Sequence, residues 1–242
     1  MSDVRAAITV RGLRKSFALA DGRRLEVLDV EHLALPAGRV TVLRGRSGSG
    51  KTTLLNLIAG VSAPTAGTVV VDDIDIFGLS EAARDRFRAR HLGYVFQAFN
   101  LLPAFSAEDN VVLAMTFAGR VPRREQRPRA REILGRLGLG GRLAHRPGEL
   151  SRGEQQRVAI ARALANDPPL VLADEPCASL DAATAADVLA AFVTVCRDAR
   201  KTLLMVSHDE AALGAADAVL DIASLNRAAA PGRGDARLAV SA

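Results

Sequence analysis

The 242-residue chain predicts an α/β fold built on a largely parallel sheet. Three observations carry that expectation: short, almost continuously apolar runs, helical patterns spaced between them, and a glycine-rich loop joining one such run to one such helix. The apolar runs lie at 8–10, 40–43 (VTVL), 68–71, 92–96, 170–173 (LVLA), 203–206 (LLMV) and 218–222. Strands covered on both faces read this way, because neither face alternates with polar residues. Helical patterns occupy 51–60, 80–91, 124–138, 153–166, 182–198 and 209–215. The stretch from about 98 to 157 breaks the alternation, being helical without a convincing strand, and reads as an insertion. One domain over 1–225 follows, with a core of about 1–97 and 158–225 and a helical subdomain of about 98–157. The Ala/Gly/Arg-biased end, 226–242, is expected to be disordered. The sequence contains no internal repeat.

Composition narrows the class. With 49% hydrophobic and 24% charged residues, the chain has enough apolar material for a substantial core. No apolar run reaches the length of a membrane span, and MSDVRAAITV has neither the basic nor the apolar region of a signal peptide, so a cytoplasmic location is expected. Cys177 and Cys196 form no CxxC pair and have no clustered histidines, which favours buried thiols over a disulfide or a metal site. The net charge of +5 is concentrated in arginines at 84–90 (RDRFRAR) and 120–131 (RVPRREQRPRAR). Nucleic acid or an anionic membrane would suit such blocks, and so would a solvated helix face. No aromatic residues interleave as a nucleic-acid stacking platform requires, and no nucleic-acid partner is expected.

The glycine-rich loop is the chemical centre. Residues 45–52 read GRSGSGKT, which is G-x-x-x-x-G-K-[ST] between a strand-like VTVLR and a helical LLNLIAG. Gly45, Gly48 and Gly50 let backbone N–H groups curl around an anion, and the following helix aims its positive end at the same point. Lys51 would reach the β and γ phosphates of a nucleoside triphosphate, and the Thr52 hydroxyl would ligate Mg²⁺. Arg46, Ser47, Ser49 and Thr53 complete the nucleotide-binding stretch. Such a site needs a second metal-binding group and a group that activates water. LVLADE at 170–175 ends an apolar run in two carboxylates: Asp174 would hold Mg²⁺ through water, and Glu175 would act as general base. Adjacent strand residues point oppositely, so the two are expected to face different tasks.

These residues resemble the ATP-binding subunits of ABC transporters, and the resemblance runs from about Ile8 to Leu220. GRSGSGKT resembles the Walker A loop, VFQ ending at Gln97 the Q-loop, and LSRGE at 150–154 the signature. LVLADEP resembles Walker B, SLD at 179–181 the D-loop, and VSHD with His208 the switch region. The resemblance implies a P-loop NTPase core of RecA type, an antiparallel β subdomain and an inserted helical subdomain. It implies ATP and Mg²⁺ as ligands and a homodimer in the ATP-bound state, each signature closing over the partner's phosphates. Ser151, Gly153, Glu154 and Asp181 would then serve the neighbouring subunit's ATP. Gln97 would sense metal and attacking water, and His208 would contact the γ phosphate. Phe17 resembles the aromatic that stacks on adenine, with a core phenylalanine as the competing reading. His32, His91 and His145 match no motif.

Two departures stand out. Arg152 replaces the glycine usual in the signature, and at a position requiring positive φ it would introduce strain. Cys177 stands where the family usually has threonine. Within the family, VFQAFNLLPAFSAEDNV and LSRGEQQRVAIARALANDPPLVLADEP look most like the lipoprotein-release and macrolide-export group. That implies a separate integral membrane permease, a periplasmic adaptor in the complex, and a peripheral place on the inner face of the membrane. An amino-acid-type importer ATPase and a cell-division-type regulatory ATPase are the alternatives. Phe99, Leu101, Leu102 and Phe105 form either the insertion's own core or part of a groove for the permease.

Overall fold

A computed structural model describes residues 5–229. The chain opens with two long strands, β1 (Ala6–Ala18) and β2 (Arg24–Pro36), followed by β3 (Val40–Arg44), α1 (Lys51–Ile58), β4 (Ala66–Val71) and β5 (Ile74–Asp75). Next come α2 (Glu81–His91), β6 (Leu92–Val95), α3 (Ala107–Ala118), α4 (Arg123–Arg136) and α5 (Arg152–Leu164). The last elements are β7 (Leu170–Asp174), α6 (Ala182–Asp198), β8 (Thr202–Val206), α7 (Glu210–Gly214), β9 (Ala218–Asp221) and α8 (Ile222–Leu225).

Two sheets form. The central one is parallel, in the order β6-β7-β8-β3-β9, and the other is antiparallel, in the order β2-β1-β4-β5. In the central sheet Val42, Val171, Ala173, Leu203 and Met205 join one hydrophobic cluster, while Leu43, Leu170, Leu172, Leu204 and Val206 join the other. Both faces are therefore buried, which is why these strands read as unbroken apolar runs. Helix α1 lies between the sheets, touching β2, β4 and β7 and burying Leu54, Leu55, Leu57 and Ile58. The opposite face is covered by α5 and α6, and the core continues without a break into α3 and α4 through Val111, Met115, Ala130 and Leu134. Fully buried Phe192 sits in this cluster, with Val42 and Val171. Burying a side chain of that size contributes about 2–3 kcal/mol.

The expected strands are all present, and the antiparallel sheet adds β2, which the apolar pattern does not reveal. Buried positions run Leu28, Val30, then Leu33, Leu35, and on the paired strand Leu13, then Val10, Ile8. Both strands change the face they bury at the same place, beside Gly12 with φ 55°. A simple two-residue alternation is lost at that point. Helix α3 is likewise an addition. Its start is fixed by Ser106, whose hydroxyl accepts from Asp109 N, and its end by Gly119 in the left-handed region at φ 62°.

Much of the 120–131 arginine block holds the helices together. Arg127 and Arg131 both bond Glu108, which is only 7% exposed, and Arg127 also reaches Asp109. Arg129 donates to the Ala165 carbonyl. Cys177 and Cys196 are free and buried, and burial pushes both thiols up to about 12. Of the expected disordered tail, residues 230–242 lie outside those described, but Asn226 is placed and buried.

Candidate active site

The loop from Gly45 to Gly50 joins β3 to α1, with Gly45, Gly48 and Gly50 at φ 147°, 75° and 95°. At Gly45 a Cβ would lie 2.2 Å from Ile222 Cγ2, so both the backbone and the packing exclude a side chain there. Helix α1 starts without a side-chain cap and without an acidic residue in its first turn. Its leading N–H groups are therefore left for an anion. Lys51 curls back over the loop, 6% exposed, with Nζ donating to the carbonyls of Gly45 (2.6 Å) and Arg46 (2.9 Å). An ammonium has three donors, so one stays available for a phosphate oxygen.

A cavity of about 440 Å³ opens beside this loop, lined by Phe17, Val27, Ser47, Gly48, Ser49, Gly50, Lys51, Thr52, Thr53, Gln97, Asp174 and Glu175. Phe17 is 44% exposed, with Lys15 Nζ 4.9 Å from its ring centroid, which removes the core-phenylalanine reading. Asp174 ends β7 beneath the loop. Burial raises its carboxyl above the usual range, opposed by a hydrogen bond from Thr52 and reinforced by the charge of Glu175.

Glu175 is not a strand residue. Its φ is 44°, in the left-handed region, and its N–H donates to the Val206 carbonyl at 2.9 Å. A turn after the last strand residue, rather than strand alternation, therefore separates the two carboxylates. His208 Nε2 lies 3.5 Å from Glu175 Oε1, which brings the loop after β8 to the same point.

Gln97 is exposed and borders a second groove of about 790 Å³, shared with Phe96, Ala98, Phe99, Asn100, Arg152, Gln155, Asp174 and Ser179. Two residues that no motif singles out hold this segment. Asn110, 1% exposed, accepts from Leu102 N and donates to the carbonyls of Leu102, Phe105 and Ser106. Arg162 bonds the carbonyls of Phe99 and Asn100. Of the apolar residues here, Leu101 packs on the core while Leu102 and Phe105 are 46% and 41% exposed.

The signature residues stand apart from the loop cavity. Ser151 caps α5, accepting from Glu154 N at 3.2 Å, and Glu154 returns the bond to Ser151 N at 2.8 Å. These bonds to Ser151, together with Arg142, hold the Glu154 carboxyl below the usual range. The helix begins at Arg152, one residue earlier than the pattern suggests, and Arg152 is not among the positive-φ residues. The strain expected of an arginine here is absent, because the first residue of a helix has ordinary helical φ. Its guanidinium donates instead to the Ser179 carbonyl at 3.4 Å. Gly153 is buried, and a Cβ there would lie 2.6 Å from Thr184 Cγ2. Asp181 caps α6 by accepting from Thr184 N. None of Ser151, Gly153, Glu154 and Asp181 lines the cavity that Phe17, Lys51 and Asp174 share.

Comparison with known proteins agrees with this geometry. A family model described as ABC transporter matches residues 28–178. The lipoprotein-releasing system ATP-binding protein LolD of Porphyromonas gingivalis is 40% identical over 213 residues, 88% of this chain and 94% of its own. LolD 2 of Caulobacter vibrioides is 46% identical over 209 residues, 86% and 90% of the two chains. The macrolide export ATP-binding/permease protein MacB of Rhodopirellula baltica is 45% identical over 215 residues, 88% of this chain but 31% of that longer protein. Among solved structures, a dimeric ATP-binding cassette in a post-hydrolysis state bound to ADP and Pi superposes with a TM-score of 0.80. It is 34% identical and the match covers 88% of this chain and 93% of that one. With that family model over more than half of the chain and such relatives along most of its length, the chain belongs to the ABC transporter ATP-binding family.

Proposed function

We propose that this chain is the ATP-hydrolysing subunit of a bacterial export or extraction system, working through a separate integral membrane permease. The observation that carries this reading is the single cavity in which the phosphate loop, Asp174 and Glu175 meet. LolD and MacB relatives, named for lipoprotein release and macrolide export, support the export direction over the importer and cell-division readings. Among the described residues no helix is long and apolar enough to cross a membrane, and a permease partner fits that observation. The subunit is placed peripherally on the inner face of the membrane, with a periplasmic adaptor completing the complex.

Loop N–H groups and Lys51 bind the phosphates, while Phe17 offers its ring to the base. Thr52 and Asp174 present oxygen ligands to the same cavity, with Gln97 on its lining, a set that suits Mg²⁺. When bound, the ion neutralises charge on the β and γ phosphates. Glu175 accepts a proton from water as its oxygen attacks the γ phosphorus, ADP leaves, and phosphate is released. His208 steadies the same end of the cavity. Separation of Ser151, Gly153 and Asp181 from the cavity supports their acting on the ATP of a second copy, which makes a two-fold homodimer the working unit.

The test is reconstitution. Co-purified with its permease in lipid, the subunit should hydrolyse ATP and release or export a bound lipoprotein or hydrophobic cargo. A complex that takes up a solute from a binding protein would overturn the direction.

A further inference from the structure

We infer that Asn226 is a positioning residue for nucleotide binding, fixing the Ser49–Gly50 peptide of the phosphate loop and strand β2 in one relation. The inference rests on the reading of the loop as the ATP site. Asn226 follows α8, beyond the residues 28–178 matched by the family model. It is 2% exposed.

Its side chain is fully used. Nδ2 donates to the carbonyls of Val27 (2.9 Å) and Ser49 (3.0 Å), and Oδ1 accepts from Asp29 N (2.8 Å) and Ala228 N (3.1 Å). Those partners also settle which end is nitrogen: reversed, the amide would set its oxygen against two carbonyls and its nitrogen against two N–H groups.

The bond to Ser49 has a consequence one atom further on. A trans peptide is planar, so the Gly50 N–H points opposite to the Ser49 carbonyl. With the carbonyl held by a buried side chain, the N–H is turned to the other side, where Ser49 and Gly50 line the cavity. Gly50 at φ 95° offers little torsional resistance of its own, so the plane needs an external holder. Packing at this point is close: a Cβ on Gly50 would lie 3.0 Å from Val27 O and 3.3 Å from Asn226 Nδ2.

The bond to Val27 reaches the other wall. Val27 lines the same cavity as Phe17, so one amide joins the wall facing the base to the cradle for the phosphates. Ile222, in the same segment, packs against Gly45. Arg227 secures the segment to β2 through Asp29 at 3.2 Å and Glu31 at 2.6 Å, without touching the loop.

A loop that is already ordered binds ATP and the transition state better by a similar factor, so its loss raises KM and leaves kcat. The experiment compares Asn226→Asp, Asn226→Ala and Arg227→Ala in the full chain. It measures Kd for ATP and ADP, KM, kcat per folded molecule, and thermal melting. The aspartate keeps the shape and removes the two donors. Both Asn226 variants should raise Kd and KM about five- to tenfold, with kcat at saturating ATP within about twofold. Arg227→Ala should lower melting with KM unchanged. The inference fails if KM stays at the parent value in both Asn226 variants, or if only kcat falls. It fails equally if Arg227→Ala raises KM as much, or if neither Asn226 variant folds, since Asn226 would then be general support. Failure of the parent chain itself to bind ATP would overturn the ATP reading instead.

Discussion

His208 Nε2 stands 3.5 Å from Oε1 of Glu175, and both residues hang from adjacent strand ends, since Asp174 pairs with Val206 in the parallel register. Glu175 holds a left-handed backbone at φ 44°, a conformation costing on the order of 1 kcal/mol for a residue with a side chain. Its N–H bond to Val206 helps hold it there. Strain maintained at a carboxylate on the cavity wall fits a residue whose direction matters more than its comfort.

Glu175→Gln follows from that geometry. Glutamine keeps the length and the backbone but cannot take a proton, so steady hydrolysis should fall about 10²- to 10⁴-fold while ATP binding is kept. The variant should accumulate an ATP-dependent dimer on gel filtration. Hydrolysis at the parent rate would remove Glu175 from the role of base.

Arg152 tests the assignment across subunits. It lines the groove beside Gln97, not the loop cavity, and bonds the Ser179 carbonyl ahead of Asp181. Arg152→Gly should leave ATP affinity of the dilute monomer within about twofold and change dimerisation and turnover. Calorimetry on the monomer decides it, and a large shift in its ATP affinity would count against action on a second copy.

How much of this was legible in the sequence depended on how local each requirement is. Phosphate binding needs glycines, a lysine and a hydroxyl at fixed short spacing, so residues 45–52 show the site directly. Asn226 has partners 177 and 199 residues away and belongs to no motif, so only the folded chain reveals it. Strand β2 was hidden because it switches its buried face midway. Strain at Arg152 stays conditional in the sequence because the letters do not say whether a turn or the first residue of a helix occupies the position.

Asp217 gives a pH signature of stability. Its carboxylate accepts from Val40 N at 2.8 Å and from Arg197 Nη2 at 2.9 Å, tying the start of β3 to α6. The Val40 N–H first, then Arg197, hold its carboxyl below the usual range. A carboxylate depressed in the folded state stabilises fully above its unfolded value of roughly 4 and loses that contribution as pH falls through the folded one. Asp217→Ala should therefore cost about 1 kcal/mol near pH 7, with the melting difference shrinking below about pH 4. A difference that grew as pH fell would contradict this account.

Leu101 and Leu102 separate the two readings of the apolar segment after Gln97. Leu101 packs against the core, whereas its neighbour Leu102 is 46% exposed although its backbone is clamped at both N–H and C=O by Asn110. A rigidly held, exposed leucine is suited to receive a partner, and such an anchor contributes on the order of 2 kcal/mol to docking. Leu102→Ala should keep melting and basal ATPase near the parent and lose permease binding and permease-stimulated hydrolysis. Leu101→Ala, by contrast, removes packing and should lower melting and basal activity together. The pair is measured by differential scanning fluorimetry, ATPase assay and pull-down with the permease in detergent. If Leu102→Ala binds the permease like the parent, the exposed residue is no anchor. If it loses binding only together with its fold, Leu102 belongs to the core beside Leu101 and the groove has no part in coupling.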